Sequence, residues 1–191
     1  MTKKILGNVS LINLYFKKLP DILRDLEITG IFNCTMNRLI TLENSPAKIG
    51  GSFSCAVNKL TSLKGGPDYV GDEFWCDENQ LFNLEGAPKY VGGSFVCNNN
   101  KLVTLKGIQT HIKGNFYCYY NNLTSLADGP TKVDGNYICS YNNLKTLEGF
   151  PKYIGGDLEC YENPMFNFTE EQIRDICEVH GTVSLQSDTN D

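Results

Sequence analysis

The sequence contains no uninterrupted apolar run long enough to cross a membrane, which takes about 18 residues or more. It also has no excess of basic residues: 17 lysines and arginines stand against 22 aspartates and glutamates, for a net charge of −5. A general nucleic-acid-binding protein needs a basic surface. We therefore expect a chain of 191 residues that neither spans a membrane nor binds nucleic acid, and that can form one domain with a real core.

We expect no secretion signal at the start of the chain. Lys3 and Lys4 precede apolar residues, as in a signal peptide, but Asn8, Ser10 and Asn13 interrupt the apolar run. No cleavage motif of small residues follows. These observations favour a cytoplasmic protein.

Residues with catalytic or metal-binding potential are scarce or badly spaced. The two histidines, His111 and His180, are far apart in the sequence, and no serine or cysteine nucleophile has a base at a local or periodic spacing. None of the eight cysteines belongs to the short Cys-x-x-Cys pairs that zinc sites use. We therefore predict that the protein is not an enzyme, has no catalytic residues, and holds no metal ion and no cofactor.

The cysteines that are present follow a strict spacing. Eight of them would suggest disulfides in a secreted protein, but seven recur every 21 residues and Cys177 is off this grid. A cysteine fixed in a repeat occupies one structural column, where a small apolar residue suits a tight coil. In a reducing compartment we expect these thiols to be free and buried. The seven are Cys34, Cys55, Cys76, Cys97, Cys118, Cys139 and Cys160.

Other positions repeat together with the cysteines. Counted from each one, a large apolar residue lies two positions before and an asparagine three after. The first six cysteines also have leucines five and eight positions after and an aliphatic residue fifteen after. Prolines and glycines, such as Pro67 and Gly71, lie between the units and are typical of turns. The large apolar residues are Phe32, Phe53, Phe74, Phe95, Phe116, Tyr137 and Leu158. The asparagines are Asn37, Asn58, Asn79, Asn100, Asn121, Asn142 and Asn163.

A unit of 21 residues is too small to bury its five apolar positions alone, but stacked units merge them into one core. Around each cysteine the chain should alternate inward and outward, as a short strand does. Phe74 and Cys76 then point inward, while Glu73, Trp75 and Asp77 point outward. We predict that each asparagine amide hydrogen-bonds backbone groups of the neighbouring coil. The glycines recur once per coil with no helix after them, which indicates turns rather than a phosphate-binding loop.

The segment FWCDENQL, residues 74–81, resembles the leucine-rich repeat, with phenylalanine and cysteine at two leucine positions of that motif. The resemblance covers residues 31–168 and implies an α/β repeat solenoid, curved, with a parallel sheet on its concave face and an irregular convex side. The short unit is similar to bacterial and phage-borne repeats, including the recognition repeats of secreted ubiquitin-ligase effectors. The ligase activity is not carried over, because nothing the size of their separate catalytic domain follows the repeats.

The two ends of the chain are predicted to close the solenoid. Residues 1–30 form a diverged first repeat, with Val9 and Leu11 at the inward positions. Residues 169–181 form a capping helix, which begins with a capping box of Thr169 and Gln172 and ends at Gly181. Ile173, Ile176 and Cys177 form its apolar face, and residues 182–191 form a tail.

The outward strand positions are not dictated by the fold, and a function should therefore be sought there. They carry the one tryptophan, five of the ten tyrosines and six carboxylates, but no lysine or arginine. Exposed aromatic side chains on a rigid sheet are typical of interface hot spots, although tyrosine also simply favours strands. We predict a partner-binding site formed by Glu73, Trp75, Asp77, Glu78, Tyr117, Tyr119, Tyr120, Tyr141, Glu159, Tyr161 and Glu162.

These observations predict a module that binds a protein partner with a basic or mixed-charge surface. The resemblance to phage-borne repeats further implies an inhibitor of a host protein, such as a defence factor, acting in the host cytoplasm. Two other classes stay open at this stage. One is a small-ligand-binding protein for a nucleotide or a glycan, and the other is a structural or adhesive repeat protein.

Overall fold

A computed structural model describes residues 3–164 and 168–186 as a parallel β-solenoid of about nine coils. Most strands are two residues long, because each coil of 21 residues must turn again at once. The strands, in chain order, are β1 Lys3–Ile5, β2 Val9–Ser10, β3 Leu26–Ile28, β4 Phe32–Asn33, β5 Lys48–Ile49, β6 Phe53–Ser54, β7 Tyr69–Val70, β8 Phe74–Trp75, β9 Tyr90–Val91, β10 Phe95–Val96, β11 His111–Ile112, β12 Phe116–Tyr117, β13 Lys132–Val133, β14 Tyr137–Ile138, β15 Tyr153–Ile154, β16 Leu158–Glu159, β17 Glu178–Val179 and β18 Val183–Ser184.

Three parallel sheets run along the solenoid. The nine even-numbered strands, β2 to β18, form one sheet, which we call the long sheet. Its register matches the repeat, since Phe95 pairs with Phe74 on one side and with Phe116 on the other. The odd-numbered strands form a sheet of five, β1 to β9, and a sheet of four, β11 to β17.

The side of each coil that carries the odd-numbered strands, which we call the second side, is therefore more regular than the predicted irregular convex side. No strand was predicted for the aliphatic column fifteen residues after the cysteines, because the convex side was expected to be irregular. This column, which includes Ile49 and Val70, lies in strands that pair in register. A coil this short leaves no room for a helix on its second side, and backbone pairing with the next coil satisfies the polar groups instead. The structure does not confirm the α/β class.

The core is one continuous column of apolar side chains, as the repeat predicts. All eight cysteines are free and buried, which confirms their predicted core position. The inward aromatic rings contact one another from coil to coil. The first pairs are stacked, with 5.6 Å between the ring centroids of Phe32 and Phe53 and 5.5 Å between those of Phe53 and Phe74, and the later pairs are tilted or edge-to-face. Among the described residues, no group of three or more His, Cys, Asp or Glu side chains is placed to hold a metal ion.

The asparagine column joins each coil to the preceding one, as predicted. Asn121 Nδ2 donates to the carbonyl oxygens of Cys97 at 3.1 Å, Cys118 at 3.1 Å and Tyr119 at 3.3 Å. Asn121 Oδ1 accepts a hydrogen bond of 2.9 Å from the backbone nitrogen of Leu102. One buried amide thus makes four hydrogen bonds to the backbone. Among the described residues it is the one partner of the Leu102 nitrogen, whereas the three carbonyl oxygens also accept from Asn100, Asn142 and the backbone nitrogen of Asn99.

Glycine allows the coils to approach one another closely. The backbone at Gly71 passes so near the carbonyl oxygen of Gly50, one coil earlier, that an added Cβ would overlap this atom. Gly86 adopts a φ of +90°, in the left-handed region that disfavours side chains. Both roles agree with the prediction that the glycines are turn residues.

The first coil keeps the pairing of the others. Val9 pairs with Phe32 in the long sheet, and the backbone nitrogen of Leu11 donates to the carbonyl oxygen of Asn33 at 2.7 Å. Val9 and Leu11 are partly buried against the core, at the inward positions expected for them.

The last coil differs from the predicted capping helix over residues 169–181. The helix, α1, spans only Glu170–Arg174 and starts with the expected capping box of Thr169 and Gln172. Strand β17 follows within the predicted helix, and Val183 and Leu185, in the predicted tail, pack against the core. Ile173 and Cys177 are buried, but Ile176 is 37% exposed, because the chain has left the helix by that point.

Pairing with the preceding coil explains this difference, because β17 and β18 continue two sheets that are already formed. Residues 165–167 and 187–191, which include part of the predicted last repeat and of the tail, lie outside the described residues. No helix of the described chain is long and apolar enough to cross a membrane.

Candidate functional site

The candidate site lies on the outer surface of the long sheet. Strand β8 alternates as predicted: Phe74 and Cys76 are fully buried, whereas Trp75 between them is 40% exposed. Strand β10 is an exception, because its predicted outward residue Val96 is also buried. We call this surface the long-sheet face. It comprises the residues on either side of each inward aromatic or cysteine position, together with the next residue in each coil. All eleven residues of the predicted site lie at such positions.

Five tyrosines form a continuous group on this face, which we call the tyrosine cluster. The rings of Tyr120 and Tyr141 stack with 4.2 Å between their centroids and 16° between their planes. Tyr161 meets the edge of Tyr141 at 5.6 Å, and Tyr119 meets Tyr120 at 5.6 Å. Tyr117 extends the group, with its centroid 6.5 Å from that of Tyr119. The structure thus brings together five predicted residues from three consecutive coils.

The backbone holds part of this cluster in an unusual conformation. Tyr120 and Tyr141 have φ values of 51° and 53°, and Glu78 and Glu162 occupy the same position of their coils with φ values of 51° and 53°. This left-handed residue turns the chain out of the strand just before the buried asparagine. Because the asparagine fixes the turn, the side chains that precede it are held on the long-sheet face.

The neighbouring region, three coils toward the N-terminus from Tyr141, is acidic. Trp75 Nε1 donates a hydrogen bond of 3.0 Å to Glu73 Oε2. Asp77 lies beside Asn98 in the sheet, because the backbone nitrogen of Glu78 donates to the Asn98 carbonyl oxygen at 3.1 Å. The side-chain Oδ1 atoms of Asp77 and Asn98 are buried without a hydrogen-bond partner in the described chain. Burial raises the pKa of the Asp77 carboxyl, and the charge of Glu78 raises it further.

Acidic groups also affect the tyrosines. Burial is the main cause of the raised pKa of the Tyr117 hydroxyl, and the charges of Glu159 and Glu73 add to it. The Tyr161 hydroxyl has a raised pKa for the same two reasons, burial first and Glu159 second. These tyrosines are therefore neutral hydrogen-bonding groups at physiological pH, in a negative local field.

Basic side chains lie elsewhere on the molecule. Among described residues, no lysine or arginine forms an ion pair with Glu73, Asp77, Glu78 or Glu159. The lysines instead pair with carboxylates off this face, such as Lys48 with Glu27 at 2.9 Å and Lys106 with Glu85 at 3.0 Å. These four carboxylates thus keep their negative charge without a cationic neighbour in the described part of the chain.

A second aromatic surface, on the two shorter sheets, was missed from the sequence. Tyr69 and Tyr90 stack at 4.8 Å, and Lys113 Nζ lies 4.9 Å from the centroid of the Tyr90 ring. Lys132 Nζ lies 5.1 Å from the centroid of Tyr153. The signal was the recurrence of tyrosine, lysine or histidine one position before the aliphatic column, which was overlooked because the convex side was expected to be irregular. Here the aromatic rings already have cationic partners.

The two histidines also lie on this second side, as single residues paired with single acids. His111 Nε2 is 2.8 Å from Asp134 Oδ2, and His180 Nε2 is 2.8 Å from Glu178 Oε1. His180 follows strand β17, rather than ending a helix as predicted. Neither histidine lies on the long-sheet face.

No protein-family model matches the chain, and a search of curated proteins finds no significant match. The class of the protein is therefore defined by its fold, a parallel β-solenoid of 21-residue coils with an aromatic and acidic face. Membership of the leucine-rich repeat family and a phage origin stay predictions from the resemblance of the repeat.

Proposed function

We propose that the protein is a non-enzymatic binding module that recognises a protein partner through the long-sheet face. One observation carries the proposal: the tyrosine cluster and Trp75 share a face that has six carboxylates and no lysine or arginine. A partner with a basic or mixed-charge surface complements this field, which would also speed its encounter with the site.

The rigidity of the site supports this function. Aromatic side chains that are held in place before binding lose little conformational entropy when a partner contacts them, and such residues are typical of hot spots. Nine strands at about 4.8 Å each give the long sheet a length of roughly 40 Å. A surface of this length suits a macromolecule, and a concave shape, as in leucine-rich repeats, would let it wrap around one.

The identity of the partner is proposed from resemblance alone. Short repeats of this kind in phage-borne proteins make a host protein, including a defence factor, the first class of partner to test. In that case the protein would act in the host cytoplasm as an inhibitor.

A small-ligand function is the second candidate, favoured by a shallow pocket of about 330 Å³ within the tyrosine cluster. Stacking between tyrosines would suit a glycan better than a nucleotide, because the lining includes the carboxylate of Glu159, which repels phosphate.

Capture of a partner from bacterial lysate tests the proposal. The intact protein should retain a specific protein, and the double variant Trp75→Ala/Tyr119→Ala should reduce the retained amount at least about tenfold, because hot-spot residues each contribute about 1.4 kcal/mol or more. The matched control is Tyr69→Ala/Tyr90→Ala, which removes two exposed aromatic residues from the other side. This control should retain the partner as the unmodified protein does.

Equal loss in both double variants would contradict the proposal, because binding would then not depend on the long-sheet face. Retention of no protein, together with calorimetric binding of a metabolite, would favour the small-ligand function. Large self-assembled particles in light scattering would instead indicate a structural role.

A further inference from the structure

Aromatic side chains form most of the lining of the pocket in the tyrosine cluster. Tyr119, Tyr120, Tyr141 and Tyr161 line it, together with Ile138, Ser140 and Glu159. Its volume of about 330 Å³ is small, and the rings around it are mutually perpendicular or stacked rather than collapsed into one plane. Faces and edges of several aromatic rings are thus presented to one small space.

The acidic group of this pocket has no cationic partner. The Glu159 carboxylate faces no lysine or arginine at ion-pair distance among the described residues. The neutral Tyr161 hydroxyl interacts with both Glu159 and Ser140. A carboxylate with one neutral donor keeps acceptor capacity, so a cationic donor that reaches Glu159 would form a charge-assisted hydrogen bond.

An aromatic enclosure with one carboxylate is suited to a positive charge. The negative faces of tyrosine rings attract ammonium and guanidinium groups, most strongly where water is partly excluded. On the opposite side of the molecule, Lys113 and Lys132 already occupy such positions over Tyr90 and Tyr153. In the tyrosine cluster no cationic side chain of the described chain takes this place.

We propose that this pocket receives a single lysine or arginine side chain from the protein partner, with its charged end against Glu159 and the Tyr120, Tyr141 and Tyr161 rings. The inference rests on the proposed function and makes it more specific. It assigns the tyrosine cluster the recognition of one cationic side chain, whereas the Trp75 region contributes contact area.

The test uses single capped amino acids and the full chain. Nα-acetyl-lysine amide and Nα-acetyl-arginine amide, which keep their charged side chains, are titrated into ¹⁵N-labelled protein and followed by NMR. The neutral analogues are Nα-acetyl-norleucine amide and Nα-acetyl-citrulline amide. We expect at least one cationic probe to bind with a Kd of about 10 mM, with shifts centred on residues 119–120, 138–141 and 159–161, and its neutral analogue to bind at least about tenfold more weakly.

Two variants and two controls locate the binding. Glu159→Gln and Tyr141→Leu should each weaken the cationic probe about tenfold. Glu78→Gln removes a carboxylate from the same face but outside the pocket, and Tyr69→Leu removes a tyrosine from the opposite side. Both controls should bind as the unmodified protein does. Glu159→Gln changes no core contact, so it stays informative if Tyr141→Leu unfolds.

The outcomes separate this inference from the proposed function. Absence of cationic binding, or equal binding of the neutral analogues, would overturn the pocket assignment even if partner capture still depended on Trp75 and Tyr119. Cationic binding that is lost in Glu159→Gln supports the assignment, and it would do so even if lysate capture failed. Cationic binding that Glu78→Gln weakens as much as Glu159→Gln would reduce the effect to the general charge of the face and overturn the specific pocket.

Discussion

Raising the pH from about 8 to about 10 is expected to unfold the protein in one steep transition, because seven buried thiols resist ionisation in the folded chain. Burial raises the pKa of Cys34 to about 12 and that of Cys177 to about 11. Burial also raises the pKa of the other five above the usual value of a thiol. These are Cys55, Cys76, Cys97, Cys118 and Cys139.

The direction follows from proton binding. In the unfolded chain a thiol loses its proton near pH 8.5–9, roughly, whereas in the folded chain it keeps the proton to a higher pH. Between these two pKa values the unfolded chain holds fewer protons, so the free energy of unfolding falls as the pH rises. The stability is fully present below the unfolded pKa, and each thiol removes up to about 1.4 kcal/mol per pH unit above it.

Seven thiols acting together give a limiting slope of roughly 10 kcal/mol per pH unit, which is as large as the whole stability of a typical domain. Urea unfolding followed by circular dichroism at a series of pH values measures this slope. Cys97→Ala should reduce this slope by the contribution of one thiol, which is up to about 1.4 kcal/mol per pH unit. A free energy of unfolding that stays constant between about pH 8 and about pH 10 would show that the thiols are not buried in one cooperative core.

Asn121→Ala is expected to destabilise the fold by about 2–4 kcal/mol, because it removes four hydrogen bonds and leaves the buried backbone nitrogen of Leu102 without its partner. The carbonyl oxygens of Cys97, Cys118 and Tyr119 each keep a second donor. The adjacent Asn122 is the matched control, since it is exposed and its side chain makes no hydrogen bond within the described part of the chain. Asn122→Ala should change the free energy of unfolding by less than about 0.5 kcal/mol. Urea denaturation of both variants at pH 7 measures the difference.

Similar stabilities of these two variants would mean that water satisfies the Leu102 nitrogen when the Asn121 amide is absent and that the three carbonyl oxygens need only their second donors. Asn142 and Asn143 form an equivalent pair one coil later, with Asn142 buried and Asn143 exposed. The same contrast is expected there, which separates a property of the repeat from a local effect at Asn121.

The repeated part of the fold was predictable because each coil presents the same contacts to the next. The positions of Cys76 and Asn79 in one coil determine those of Cys97 and Asn100 in the next, so periodicity alone identified the core and the amide hydrogen bonds. The same argument separated Trp75 from its buried neighbours. The repeat pattern therefore predicts that the candidate residues lie on one face of the sheet.

The last coil was harder to predict, because local signals and pairing compete there. Thr169 and Gln172 correctly marked the start of a helix, but pairing of Glu178 with Tyr153 ended it early. The pocket at Ser140 also depends on distances between side chains of successive coils, which spacing does not give. The two shorter sheets were missed because an aliphatic residue between turn formers fits both an irregular segment and a two-residue strand.

Because successive coils make the same contacts, the distance between two side chains on the long sheet depends on the number of coils between them. Each coil contacts chiefly its two neighbours, and the ends of every unit have the same backbone geometry as those of the next. Removing or duplicating one 21-residue unit between Trp75 and Tyr117 would leave the core columns matched and change the separation of these two side chains by one strand spacing, about 4.8 Å. Gain and loss of whole units thus offers this architecture a way to fit partners of different dimensions without redesigning either contact.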